Sequence, residues 1–155
     1  MTKDETLLEQ MMEILRDRYG DRINNFLFPP PIFELMQGEL LEVDLEIGML
    51  TARFPVLASY QNPYRAMQGG MIATAVDNTL GPLSVLVAPP NVTRTLEMKY
   101  SRPATLEMGT IIVKAKLVDR NQQRLFFEAD VRNPNGEKLA RAKATHWIAE
   151  KQTKI

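Results

Sequence analysis

The chain contains no cysteine and a single histidine, His146. The first absence removes disulfide frameworks, thiolate metal ligands and a cysteine nucleophile. The second rules out a multi-histidine metal centre and leaves a serine triad only one imidazole as its base, so no metal or other cofactor is expected. Excess charge is missing too: 19 basic residues balance 19 acidic ones, with no basic block or acidic tail. Nucleic acid is therefore not an expected partner. The longest apolar run, Met71 to Val87, contains Asp77, Asn78 and Pro82, which makes it a poor membrane span. The opening Met-Thr-Lys-Asp-Glu is too charged for a signal peptide, so the expected location is cytoplasmic. Repeats and low-complexity segments are also absent. What remains is 155 residues, 45% hydrophobic and 25% charged, enough for one soluble chain with a real core.

Periodicity divides that chain into elements. Residues 4–19 carry Leu7, Leu8, Met11, Met12 and Leu15 on one helical stripe, and Tyr19-Gly20 supplies a stop. Phe26-Leu-Phe-Pro-Pro-Pro-Ile-Phe33 reads as an extended connector, because three consecutive prolines cannot lie inside a helix. Leu41, Val43, Leu45 and Ile47 alternate with acids as one strand, and Leu50, Ala52, Phe54 and Val56 as its return after Gly48. A loop over 57–68 leads into an apolar helix over 69–87, kinked or ended by Pro82. Four strands follow, near 92–100, 110–119, 123–133 and 138–149, with Arg132-Asn-Pro-Asn-Gly136 as a hairpin turn. Ala140, Ala142 and Ala144 form a small-residue row that lets a helix come close. The fold class is α+β: an antiparallel sheet that must curl around one long helix to cover it. One copy leaves a sheet edge and part of the helix open, which favours a dimer.

The chemistry concentrates in Asn62-Pro-Tyr-Arg-Ala-Met-Gln68-Gly69-Gly70 and the helix behind it. A glycine pair opening a helix offers free N–H groups at its positive end, suited to a negatively charged oxygen. The helix is hydrophobic nearly all round and is expected to be enclosed, except for a strip of Thr74, Asp77, Asn78 and Gly81. A carboxylate in such a helix is expensive to bury and needs a reason. Together these features suit a polarised carbonyl beside an acid or base.

The ordered set Asn62, Gln68-Gly69-Gly70, Asp77, Val92-Thr93, Tyr100-Ser-Arg-Pro103-Ala104, Asn135-Gly136 and Ala140 resembles the PaaI-type acyl-CoA thioesterases of the hotdog fold. The resemblance spans roughly residues 35–149. The N-terminal helix and Pro-rich connector, over 1–34, lie outside it, and the hotdog domain is expected over 35–155. The resemblance implies a homodimer, or a dimer of dimers, acting on an acyl-CoA in a site shared between subunits, with coenzyme A entering only as part of the substrate. By the same resemblance, Asn62 and the Gly69 N–H hold the thioester carbonyl. Asp77 of the other subunit activates water or attacks that carbonyl, and Thr93 helps place the water. The family usually has His before the glycine pair; here it is Gln68, which cannot carry a proton at neutral pH. A non-catalytic module that holds an acyl thioester is therefore the alternative. A hotdog hydratase would need a histidine near the helix or loop, and none is there.

Other candidates are weaker. Gly70 belongs to the anion-binding turn. Met67, Met71 and Met98 are available to line an acyl pocket, although plain core is the simpler reading. Arg65, Arg94 and Arg102 are candidates for the phosphates of coenzyme A, or else solvated charges. Asp77 has a structural alternative as a buried acid satisfied by hydroxyls, Asn62-Pro63 as turn chemistry, and Thr93 as an ordinary strand residue. His146, in register with the alanine row, reads as structural. Ile112, Phe126 and Trp147 fall on the opposite face of their strands, which predicts cover by the N-terminal helix or an assembly interface.

Overall fold

A computed structural model describes residues 1–149; positions 150–155 of the expected domain lie outside the described residues. The first helix, α1 (Lys3–Tyr19), starts at a capping box in which Thr2 accepts from the Glu5 N–H and Glu5 reaches back. It ends at Gly20, whose φ of 53° suits glycine. Met11, Leu15 and Tyr19 form its buried stripe. The expected extended connector is interrupted: α2 (Pro31–Leu35) forms one short turn of helix. Pro31 occupies the first helical position, where its missing N–H has no partner to lose.

Strands β1 (Glu39–Asp44) and β2 (Met49–Pro55) form the first hairpin. β1 is shorter than its alternation predicts, and a bulge between Leu40 and Glu42 resets its register. Leu40 and Val43 therefore oppose Ala52 and Leu50, while Ile47 lies in the turn, 51% exposed. The long helix α3 (Gly69–Val87) follows, then β3 (Asn91–Tyr100), β4 (Thr110–Arg120), β5 (Arg124–Arg132) and β6 (Lys138–Ile148). Pro82 lies inside α3 without ending it.

All six strands form one antiparallel sheet in the order β1-β2-β4-β5-β6-β3. Cross-strand partners share a face, so Leu50, Ala115 and Ala129 align with Ala142, and Ala52, Val113 and Val131 with Ala140. This concave face wraps α3, the arrangement of a hotdog fold. The alanine row lies fully inside, with Ala140, Ala142 and Ala144 all buried. α1 closes the β1 end. Its Tyr19 hydroxyl donates to the carbonyls of Val85 (3.0 Å) and Ala88 (2.8 Å), satisfying the last turn of α3. Asp4 accepts the Leu40 N–H, and Met11, Leu15, Tyr19 and Phe33 join the same buried cluster as the sheet and α3.

The outer face of the sheet carries charge rather than a helix, so the expected cover by α1 does not occur. Trp147 is instead flanked by the guanidiniums of Arg94 and Arg124, each 4.8 Å from its ring. By length and composition α3 could cross a membrane, but more than half of its apolar window is buried against its own chain.

Candidate active site

Two clusters of polar groups lie on the side of α3 that the sheet leaves open. The first is its N-terminus. Gln68 caps the helix with its carbonyl, which accepts from the Met71 and Ile72 N–H groups, but its side chain makes no capping bond and is exposed. The N–H groups of Gly69 and Gly70 have no acceptor among the described residues. They point outward from the positive end of a 19-residue helix. A side chain at Gly69 would be crowded: a Cβ there would fall 3.1 Å from the Tyr100 ring, which would have to give by a few tenths of an ångström. The Tyr100 hydroxyl donates to the Gly69 carbonyl at 2.6 Å, and burial pushes this phenol up from its ordinary range, so it stays protonated at neutral pH. A side chain at Gly70 would meet no atom within 4 Å.

The loop before the helix is tied down by Asn62. Its Oδ1 accepts from the Tyr64 N–H (2.9 Å) and the Ala66 N–H (3.1 Å), and its backbone pairs with Ala66 and Arg65. Asn62 is thus a turn residue, as its sequence allows. Its amide Nδ2 keeps two donors that make no bond among the described residues.

The second cluster lies two turns along the helix. Asp77 is exposed, which corrects the expectation of a buried carboxylate. The sheet covers only one side of α3, so the strip of Gly70, Thr74, Asp77 and Gly81 faces outward. Asn78, expected in that strip, is instead buried, with its amide against the Met36 sulfur at 3.3 Å. Asp77 is held by Thr93, whose hydroxyl donates to Oδ1 at 3.0 Å. A β-bulge makes this contact possible. Thr93 opposes His146 and Thr95 opposes Thr145, so Arg94 is an extra residue between them. Without the bulge Thr93 would share the outer face with Thr95; with it, Thr93 turns inward to the helix.

The sequence reading missed what lies behind Thr93. His146 is 1% exposed, and its Nε2 is 3.3 Å from the Thr93 hydroxyl. Its Nδ1 lies 2.8 Å from Asn91 Oδ1, and the Phe127 ring packs 4.8 Å away. Burial pushes the imidazole below its ordinary range, against the field of Asp77, which raises it. A hint was present in the sequence: the lone histidine shares the inward register of the alanine row.

The remaining candidates are dispersed. Met67 is a core residue, 3% exposed. Met71 and Met98 pack partly buried against that core. Arg94 occupies the bulge and stacks on Trp147, Arg102 pairs with Glu137 at 3.3 Å, and Arg65 is exposed in the loop with φ 62°. A cleft of about 420 Å³ between α1 and the far end of α3, bordered by Arg18, Leu86 and Arg120, contains none of the site residues.

Gly69 and Asp77 are eight residues apart on one helix, which separates them by on the order of 12 Å along its axis. One chain therefore keeps two groups apart: the N–H donors at Gly69 and the carboxylate of Asp77.

No family model matches the chain, and no curated protein matches it. Solved structures do. A phenylacetic acid degradation-related protein of Ralstonia eutropha JMP134, named as a candidate thioesterase, is 25% identical; the match covers 84% of this chain and 99% of that one, with a TM-score of 0.73. The PaaI protein of the E. coli phenylacetic acid degradation operon is 13% identical over 93% of this chain and 96% of its own, with a TM-score of 0.74. A hypothetical thioesterase of Streptococcus pneumoniae TIGR4, solved with coenzyme A, is 19% identical over 75% of this chain and 88% of its own, with a TM-score of 0.67. The chain thus carries the hotdog fold of the PaaI-type proteins, the family that its motifs resemble.

Proposed function

We propose that the protein hydrolyses an acyl-CoA thioester in a site assembled from two copies of the chain. One copy holds the thioester carbonyl oxygen with the Gly69 N–H and the Asn62 amide. The other supplies Asp77 and Thr93. The observation that carries this reading is the open side of α3, where unpartnered N–H groups and a hydroxyl-bound carboxylate share one uncovered face. Their separation along the helix keeps them from reaching one carbonyl within a single chain. A second chain in antiparallel arrangement brings the start of one helix beside the middle of the other. The thioesterase names of the structural neighbours, and the coenzyme A bound to one of them, support the substrate class.

The chemistry follows from the groups present. Thr93 occupies Asp77 Oδ1 and leaves the second carboxylate oxygen for a water molecule. Asp77 takes a proton from that water as its oxygen attacks the carbonyl carbon. The oxygen that becomes negative lies against the Gly69 N–H and the helix dipole, and losing one such donor typically costs about 10²–10³ in rate. Collapse breaks the C–S bond and releases the coenzyme A thiolate, which takes up the proton that Asp77 gained, so the carboxylate is regenerated.

Gln68 favours a second reading. It stands exposed at the helix entry and cannot protonate the leaving thiolate. A dimer that binds an acyl thioester without turnover would use the same face. Free-thiol release from short, long and aromatic acyl-CoAs, with Asp77→Asn as control, separates the two. Release that vanishes in the variant supports the hydrolase. Tight binding with no release from any substrate would sink it in favour of the binding module.

A further inference from the structure

Behind the carboxylate lies a chain of hydrogen bonds whose protons can be counted. Asn91 Nδ2 donates to the carbonyls of Pro89 (2.9 Å) and Ser84 (3.3 Å). Both partners are acceptors, so the amide has one orientation and its Oδ1 must face His146. Oδ1 only accepts, and it lies 2.8 Å from His146 Nδ1, so that nitrogen carries a proton. A neutral imidazole then presents a bare Nε2 to Thr93 at 3.3 Å. The Thr93 hydroxyl has a single proton and two acceptors, Asp77 Oδ1 at 3.0 Å and His146 Nε2. When Asp77 is ionised, the stronger charged acceptor takes it. When Asp77 has gained a proton, the carboxyl can donate to Thr93 Oγ1 and the hydroxyl can turn to Nε2.

We propose that His146 is a positioning residue for Asp77: fixed as the Nδ1–H tautomer by Asn91, it offers the Thr93 hydroxyl an alternative acceptor and so stabilises Asp77 once it has taken a proton. The role rests on the hydrolase reading above. Its geometric parts do not. The imidazole is contacted by Phe127 of β5 and by Asn91 and Thr93 of β3; Asp77 of α3 is the charged group whose field acts on it. No covalent step is involved, and the imidazole stays neutral throughout.

Because the chain has one histidine, its ring signals in an NMR spectrum need no assignment. Nitrogen shifts of wild-type protein at neutral pH are expected to report the Nδ1–H tautomer. Asp77→Asn removes the charge that raises the imidazole, so His146 should then titrate at lower pH than in wild type. Finding the Nε2–H tautomer, or a titration indifferent to Asp77→Asn, would overturn the proposal whether or not the protein hydrolyses anything. On the kinetic side, His146→Phe should lower kcat about three- to tenfold, the worth of one hydrogen bond, with KM little changed. The acid limb of its rate profile should move to lower pH. In a Thr93→Val background the same substitution should change neither. A folded His146→Phe protein with the wild-type pH profile overturns the positioning role and leaves the hydrolase intact. If His146→Phe does not fold, the wild-type and Asp77→Asn spectra still decide. The expected tautomer and coupling in a protein that releases no thiol would support the geometry and remove the hydrolase instead.

Discussion

Replacing Gly69 with alanine is expected to slow hydrolysis far more than it weakens the fold. The new methyl would fall 3.1 Å from Tyr100 Cζ, 3.2 Å from the hydroxyl and 3.4 Å from Cε1. Ordinary contact begins at 3.4 Å, so the ring or the helix start must yield by a few tenths of an ångström. Tyr100 lies on edge strand β3 and is 51% exposed, so it can recede. Its 2.6 Å bond to the Gly69 carbonyl then lengthens. Alanine also fits a helix better than glycine by up to about 1 kcal/mol, which offsets the crowding. The net stability change should stay within about 1 kcal/mol, whereas the displaced N–H is the donor proposed for the developing oxyanion. Complete loss of such a donor costs about 10²–10³, and a partial displacement should cost at least about tenfold in kcat. Thiol-release kinetics and urea unfolding of the same preparation measure both quantities. A folded Gly69→Ala protein with wild-type kcat would refute the Gly69 N–H as a catalytic donor.

Three further outcomes follow from the same structure. Tyr19→Phe removes the hydroxyl shared by the Val85 and Ala88 carbonyls and should cost about 1–3 kcal/mol in denaturant unfolding; a change under about 0.5 kcal/mol would mean that α1 does not secure the end of α3. His146 is held below its ordinary value of 6.5, so the unfolded chain binds the proton first as pH falls. Stability should therefore decline below pH 6.5, by at most about 1.4 kcal/mol per unit, until the folded protein also takes the proton; His146→Gln should lack this share of the decline in unfolding measured across pH 5–7. Gln68→His restores a group able to protonate the leaving thiolate, and should raise kcat for thiol release by up to about 10²-fold; an unchanged rate would confine position 68 to orienting the substrate.

The elements that positioned the site were legible where local signals agreed with tertiary structure. Gly69-Gly70 followed by an apolar run to Val87 marked α3, because glycine entry, length and hydrophobicity all pointed one way. Alternation gave β4, β5 and β6 nearly to the residue, since each has one buried face. Alternation failed at β1, where the bulge after Leu40 shifts the pattern by one residue. It failed again at Thr93, whose inward turn depends on the extra residue Arg94. That bulge is also why the place of His146 beside Thr93 was not legible: their contact spans 53 residues of sequence and exists only in the folded register. The exposure of Asp77 was hidden for a different reason. A helix apolar nearly all round signals that something covers every side, and does not say whether the cover is its own sheet or another copy of the chain.

A shared site can be tested by mixing two inactive proteins. Asp77→Asn and Gly69→Val are each expected to abolish thiol release alone, one by removing the base and the other by blocking the donor. If the sites lie between chains of a two-fold dimer, a mixed dimer has one site carrying both changes and one carrying neither. Unfolding and refolding equal amounts together should then restore about one quarter of the wild-type rate, since about half of the dimers are mixed and each has one intact site. A refolded mixture as inactive as its parents, with mixed dimers demonstrated by mass spectrometry, would contradict a site built from two copies.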